Sequence, residues 1–181
     1  MSSQSENWKR IVMSNNTKVP IKTLAASAAF FVALIGYEGY SSKPYKDSGG
    51  VPTIGIGSTA YENGQRVKMT DKPVTKERAI EISKAHVSKD EIAFRKSLPG
   101  VKLSQTEYDV YLDFTYNFGQ ANWNSSSMRR LLIQGQHRQA CDALLKWKYV
   151  AKKDCSVRSN NCWGVWTRQV ERHSKCMGAN S

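Results

Sequence analysis

Residues 24–37 read Leu-Ala-Ala-Ser-Ala-Ala-Phe-Phe-Val-Ala-Leu-Ile-Gly-Tyr, an uncharged apolar run with Lys9, Arg10, Lys18 and Lys22 ahead of it. A basic flank followed by an apolar run is how an export signal reads, and it predicts the N-terminus on the inner side of a membrane and the remainder outside. With Val19 and Ile21 included, the stretch is about long enough to cross a bilayer. It is weakly apolar, because Ala25, Ala26, Ser27, Ala28, Ala29, Ala33 and Gly36 are small. A firm membrane span needs about 20 clearly apolar residues. Two readings follow: transient insertion of residues about 19–37 into the inner membrane, or a buried core helix of a soluble protein. Both predict a first helix over about 20–38, behind a polar tail at residues 1–18.

The four cysteines, Cys141, Cys155, Cys162 and Cys176, crowd into the C-terminal quarter of the chain. An even number in one region suggests two disulfides and an oxidising compartment. Three pairings are possible; Cys155–Cys162, closing a short loop, and Cys141–Cys176, tying two helices, are favoured. Four buried thiols, or a zinc site from Cys155, Cys162, His173 and Cys176, are the alternatives, although that spacing fits no common zinc pattern. Length and composition fit one domain or two small lobes sharing a core, since 181 residues are 40% apolar with 12 Gly and 5 Pro. Lys plus Arg number 27 against 15 for Asp plus Glu, giving a net charge of +12. That charge calls for an anionic partner: nucleic acid, an acidic membrane face or an acidic polymer such as a cell wall. Nucleic acid is disfavoured, because the charges are spread along the chain and no zinc-finger or RNA-binding aromatic motif is present.

After the first helix the pattern changes. Ser48-Gly49-Gly50 is a turn signal, and Thr53-Ile54-Gly55-Ile56-Gly57 alternates with period two. Glu62-Asn63-Gly64 is another turn, and a short run follows from Arg66 to Met69. Three short antiparallel strands are expected, with Gly55 and Gly57 leaving room for a ligand or another backbone. Thr75 then caps a long helix over about 76–97 that Pro99-Gly100 ends. Ser104 and Glu107 form a capping box for a helix whose one face carries Tyr108, Tyr111, Leu112, Thr115 and Phe118. Caps within Asn124–Ser127 start another helix, one more follows His137, and the last covers about 164–177. The fold class expected is α+β: a small antiparallel sheet lobe (about 38–75), a long linking helix, and a larger helical lobe (about 104–177).

Glu38 immediately follows the apolar run, Asp47 lies nine residues on, and Thr53 begins the glycine-bearing strand. A carboxyl at the end of an apolar helix is partly desolvated, which raises its pKa and suits a general acid. A second carboxyl on a polar hairpin stays ionised, and two carboxyls in unlike environments across a cleft are what glycoside hydrolysis needs. Bare spacing of this kind is weak, since a solvated helix end plus a turn aspartate gives the same string.

The full string, Glu38-Gly39, Tyr45-Lys46-Asp47 and Thr53-Ile54-Gly55-Ile56-Gly57, resembles the catalytic signature of phage-type lysozymes, glycoside hydrolase family 24. Tyr116-Asn117-Phe118-Gly119, Trp123, Leu145-Lys146-Trp147 and Gly164-Val165-Trp166-Thr167-Arg168 resemble later motifs of the family, so the likeness spans about residues 34–177. The resemblance implies a lysozyme-like fold and hydrolysis of the β-1,4 bond between N-acetylmuramic acid and N-acetylglucosamine in peptidoglycan, by a monomer that needs no metal or organic cofactor. It implies that Glu38 protonates the leaving oxygen while Asp47 and Thr53 hold and activate a water. A carboxyl separation of about 6.5–9.5 Å would give inversion, and one nearer 5 Å retention. Tyr45 and Asn117 are candidate cleft residues and Trp147 a candidate wall, each against a reading as ordinary packing; Arg168 reads as a structural ion-pair partner. Ser58 departs from the pattern, because the family often carries His there. The competing function class is a basic, non-catalytic module that binds cell wall or nucleic acid.

Cleavage after the apolar run would strip the helix that positions Glu38. An export signal here must therefore be retained, which resembles the signal-anchor-release endolysins of phages of Gram-negative bacteria. That resemblance implies an enzyme tethered inactive at the inner membrane and later released to the periplasm. The alternative is a soluble enzyme held in the cytoplasm until a holin opens the membrane.

Overall fold

The computed structural model describes residues 16–47 and 49–181; the side chain of Glu38 lies outside what is described. The chain divides into two compact units: Ala26–Ala93, and a second that joins the segment ending at Ala25 to Phe94–Ser181. The architecture is α+β, with three two-stranded antiparallel sheets and a helical majority among the described residues.

The first unit opens with α1, Ala28–Glu38. Ser27 starts it by accepting the Phe30 N–H on its side chain at 3.2 Å. Phe30, Phe31 and Leu34 are buried, and the two phenylalanine rings meet edge to face with centroids 5.2 Å apart. The helix expected over 20–38 is thus shorter at its N-terminal end. Val19–Pro20 instead forms a strand, β1, and Ile21–Thr23 a 3-10 turn. The cause is local: Ser27 spends its hydroxyl on the cap that starts α1, and the residues ahead of it are held in β1 and the 3-10 turn.

Behind α1, β2 (Ser41–Lys46) and β3 (Pro52–Gly55) form an antiparallel hairpin. Ser41 pairs with Gly55 and Tyr45 with Thr53, four steps along β2 against two along β3. Such a bulge bends its strand and re-aims the side chains beyond it. The expected strand 53–57 ends at Gly55. Gly55 and Gly57 take φ of +67° and +74°, and Ile54 and Ser58 exchange both backbone hydrogen bonds across the turn between them. Ile54 and Ile56 are both buried, so the alternation marks a turn between two core residues. The expected third strand at Arg66–Met69 reduces to one bridge, Ala60 with Arg66. Close approach at Gly55 is by protein: a Cβ there would stand 2.9 Å from the Cβ of Ala79. Ala79 belongs to α2, Lys76–Lys96, which Thr75 caps by accepting the Arg78 N–H at 3.2 Å.

The second unit pairs β1 with β4 (Lys102–Leu103) and stacks the remaining helices. The capping box of Ser104 and Glu107 starts α3, Gln105–Phe118, as expected. Gln120–Ser125 (α4), Ser127–Ile133 (α5, capped by Ser126) and His137–Ala143 (α6) follow. A hairpin of Tyr149–Val150 (β5) and Lys153–Asp154 (β6) precedes α7, Trp163–Gly178. Tyr108, Tyr111, Phe114 and Trp123 are fully buried, and the Trp123 indole N–H donates to Ser97 Oγ at 2.7 Å. Both favoured disulfides are present, Cys141–Cys176 and Cys155–Cys162. No cysteine is left free, which removes the thiolates that a zinc site would use.

One carboxylate is fully buried among the described residues of this unit. Glu107 is fully buried; its Oε1 accepts from Lys18 Nζ (2.8 Å), His137 Nδ1 (2.8 Å) and Asn180 Nδ2 (2.9 Å), and its Oε2 from the Ser104 N–H (2.9 Å). Burial alone would push this carboxyl up. The hydrogen bonds from His137, Lys18, Ser104 and Asn180 outweigh burial and hold it at about 2. A carboxyl held down in the folded state stabilises above its unfolded pKa and loses that contribution as pH falls toward the folded value. Stability measured by denaturant titration is therefore expected to drop between about pH 4.5 and pH 2. Glu107→Gln should be less stable at neutral pH and show a flatter acid limb.

Candidate active site

The hairpin turn brings Asp47 and Thr53 together through one peptide, that of Val51. Asp47 follows β2 and is half-buried; its Oδ1 accepts the N–H groups of Gly49 (2.8 Å) and Val51 (2.9 Å). The Asp47 N–H donates to the Val51 carbonyl at 3.0 Å, and the Thr53 hydroxyl donates to that same carbonyl at 3.0 Å. Val51 therefore spends both of its backbone groups on the candidate residues. Side-chain capture of backbone N–H groups by aspartate is ordinary turn chemistry. Its effect here is to fix one carboxylate oxygen and leave Oδ2 with no donor among the described residues. Thr53 is buried, and its hydroxyl, having given its proton to Val51, presents lone pairs as acceptors.

Glu38 is the last residue of α1. Gly39 closes the helix with φ of +79°, and its N–H donates to Ile35 O at 2.9 Å. Two anchors then fix the chain that leads into β2: the Tyr40 hydroxyl donates to Val74 O at 2.6 Å, and the Val74 N–H donates to Ser42 O at 2.8 Å. Sequence reading passed over Tyr40 and Val51, because a tyrosine hydroxyl on a carbonyl and a shared peptide leave no periodic signal.

Tyr45, the third candidate on this hairpin, sits across from Thr53 and is exposed. Ser58, standing where the family often has His, is buried and bound through its backbone to Ile54. Asn117 and Trp147 belong to the other unit. Asn117 is exposed in the last turn of α3, donating to Asp113 O at 2.8 Å. Trp147 is half-buried and packs edge-on against Phe114 and Phe118, with centroids at 4.9 and 5.4 Å. Arg168 pairs with Asp113 at 2.7 Å, and Arg172 completes that clamp at 2.6 Å, so Arg168 holds α7 to α3.

Residues 35–168, which contain every candidate site residue, match the family model described as phage lysozyme. The chain belongs to the phage lysozyme family. It is accordingly a lysozyme, a glycoside hydrolase that acts on peptidoglycan. It is 35% identical over 115 residues to the endolysin of Salmonella phage P22, a match covering 64% of this chain and 77% of that protein. It is 31% identical over 145 residues to the SAR-endolysin of bacteriophage PS119, covering 78% of this chain and 77% of that one. The crystal structure of a P22 lysozyme mutant superposes with a TM-score of 0.72 at 28% identity, covering 85% of this chain and 99% of that chain.

Because the Thr53 hydroxyl gives its proton to a carbonyl that also accepts from Asp47, removing it costs little structure. Thr53→Val is expected to lower stability by only about 1 kcal/mol and, on the reading that this hydroxyl positions a water, to cut wall hydrolysis by about 100-fold. Thr53→Ser should retain most activity; thermal melts alongside turbidity clearing check both.

Proposed function

We propose that this chain is an endolysin in which Glu38 is the general acid and Asp47, helped by Thr53, activates the hydrolytic water. The clasp of Val51 on Asp47 and Thr53 carries this reading, since both residues are tied to one turn residue while Asp47 Oδ2 and the Thr53 lone pairs stay available. A water held between them can lose a proton to Asp47 Oδ2 while Thr53 orients it. Glu38 ends α1, where unpaired helix carbonyls disfavour a second negative charge and so favour the protonated acid. It gives its proton to the glycosidic oxygen as the C–O bond breaks, while the water's oxygen bonds to the anomeric carbon from the other side and its proton passes to Asp47 Oδ2. Water attack from the face opposite the leaving group inverts the anomeric centre. The positive charge of the whole chain concentrates the enzyme at an anionic wall, and it acts as a monomer.

Turbidity clearing of chloroform-treated Gram-negative cells tests the assignment. Glu38→Gln should lose about 100-fold or more, and equal clearing by parent and variant would overturn it. Proton NMR of the first product reads the stereochemistry: an α anomer agrees with a water between the carboxyls, a β anomer with a covalent intermediate.

The same reading places the enzyme first at the inner membrane, through residues about 19–37, and then in the periplasm. It is supported by the small-residue apolar run, by disulfides that require an oxidising compartment, and by relatives named as SAR-endolysins. Among the described residues no helix is long and apolar enough to cross a membrane, so a tethered form must rebuild this stretch. Ala29 and Gly36 are exposed on α1, and Gly36 has open space where a Cβ would stand. Leucine at Ala26, Ala29 and Gly36 is therefore expected to leave the folded enzyme intact yet hold the protein in membranes and prevent lysis. Lysis at the parental time, with the variant in the soluble fraction, would favour holin-dependent release from the cytoplasm.

A further inference from the structure

The segment ahead of α1 is bound along its length to the helical unit. β1 pairs with β4, Val19 opposite Leu103, and the Ile21 N–H donates to Val101 O at 3.1 Å. Ile21 and Leu24 are buried. The carbonyls of Leu24 and Ala25 accept from Arg95 Nη1 (3.0 Å) and Gln105 Nε2 (2.9 Å). Near the start of the segment, Lys18 Nζ touches two oxygens, Glu107 Oε1 at 2.8 Å and Asn180 Oδ1 at 2.6 Å.

That pair of oxygens is built without the segment. The Ser104 N–H holds Glu107 Oε2, and His137 Nδ1 and Asn180 Nδ2 hold Oε1. Asn180 is itself fixed, donating to Cys176 O at 2.9 Å and resting on Cys141 Sγ at 3.5 Å. Every one of these groups lies between residues 104 and 180, and Lys18 reaches them across 89 positions of sequence. Two converging oxygens, one of them anionic, suit the compact three-donor ammonium of a lysine.

We propose that Glu107 and Asn180, braced by His137, are a docking site of the helical unit for the N-terminal strand of this same chain. The site recognises the Lys18 ammonium and is completed by β1–β4 pairing. Its capture of that strand drives residues 19–37 out of the membrane and keeps them out. The second half of this proposal rests on the tether-and-release reading above. In a tethered form Lys18 stands on the cytoplasmic side of the span and its partners on the other side, so none of these contacts exists. Contacts made in one of two states shift the equilibrium toward that state by their own free energy and by nothing else. A weakly apolar span loses little on leaving lipid, which lets a modest docking energy decide the outcome.

Lys18→Met is the test, since Glu107 keeps three of its donors and the fold survives. In the purified full-length protein, amide hydrogen exchange of Ile21 should accelerate at least tenfold. In cells expressing each protein, the membrane-to-periplasm ratio should rise several-fold and lysis should be delayed. The enzyme that is released should clear chloroform-treated cells within about twofold of parent, because the site residues are elsewhere. Unchanged exchange would overturn the docking site. Faster exchange with unchanged release, in a parent that does sediment with membranes, would overturn the capture role and leave a structural strap. A parent that never sediments with membranes would sink the tether reading and the capture role with it, and the exchange result would still decide the docking site.

Discussion

A carboxylate sealed from water must be given donors, because an unpaired buried charge costs more than most single contacts return. Glu107 is that group here, and its donors come from four separate stretches of chain: Lys18 ahead of β1, Ser104 at the start of α3, His137 at the start of α6, and Asn180 beyond α7. The helical unit is thereby tied at one side chain. A capping box that in most proteins serves one helix end serves here as the floor of a network. The Cys141–Cys176 disulfide adjoins it, and the Tyr111 hydroxyl lies 3.2 Å from Cys176 Sγ. Burial pushes that phenol well above its ordinary range, so it stays a neutral wall beside the charge.

Ala26–Ala93 is organised by other means. Its polar order runs through the main chain: Val51 holds Asp47 and Thr53, Val74 joins Tyr40 to Ser42, and the Ala26 N–H reaches Glu91. Backbone bonds of this kind set direction more than stability, since each is worth roughly 1 kcal/mol net. What gives the unit its cohesion is apolar, with Ile54, Ile56, Ala79 and Ile82 buried and Gly55 letting the hairpin close on α2. The catalytic assignment thus depends on hydrogen-bond geometry at a turn, supported by packing a few residues away.

Much of this was legible in the sequence where the signal is local. Thr75, Ser104 with Glu107, and Ser126 stop or start helices by side-chain capping, and each does so where it stands in the chain. The disulfide pairing followed from loop length and from which helices could be tied. The fold class followed from turn and cap signals along the whole chain, and the family chiefly from the string between Glu38 and Gly57. The Thr53–Gly57 string misled, because alternation of large and small residues fits a strand and also fits two positive-φ glycines flanking a buried isoleucine. The first helix misled because Ser27, lying inside the apolar run, read as one more small residue of the span and not as the cap that starts α1. Lys18 with Glu107 was invisible for a plainer reason: nothing in a sequence announces a pair so far apart, and one of the two read only as a helix cap.

On the tether-and-release proposal the apolar run must serve in two solvents. Inside the folded protein α1 buries Phe30, Phe31 and Leu34 on one side, while Val32 on the other stays two-thirds exposed. That arrangement needs few large residues and tolerates alanine and glycine elsewhere. A bilayer span makes the opposite demand: length and continuous apolarity, with every backbone group bonded within the helix. Pro20 reconciles the two. At the first turn of a membrane helix a proline costs almost nothing, since its missing N–H would go unbonded there. In the folded enzyme the same residue belongs to β1 and ends the strand before the 3-10 turn. Proline at that position leaves the tethered form of the proposal intact, and in the folded form the Ser27 cap starts α1 well short of Lys18. The lysine is thus free to lie in an extended segment, the conformation in which it reaches Glu107.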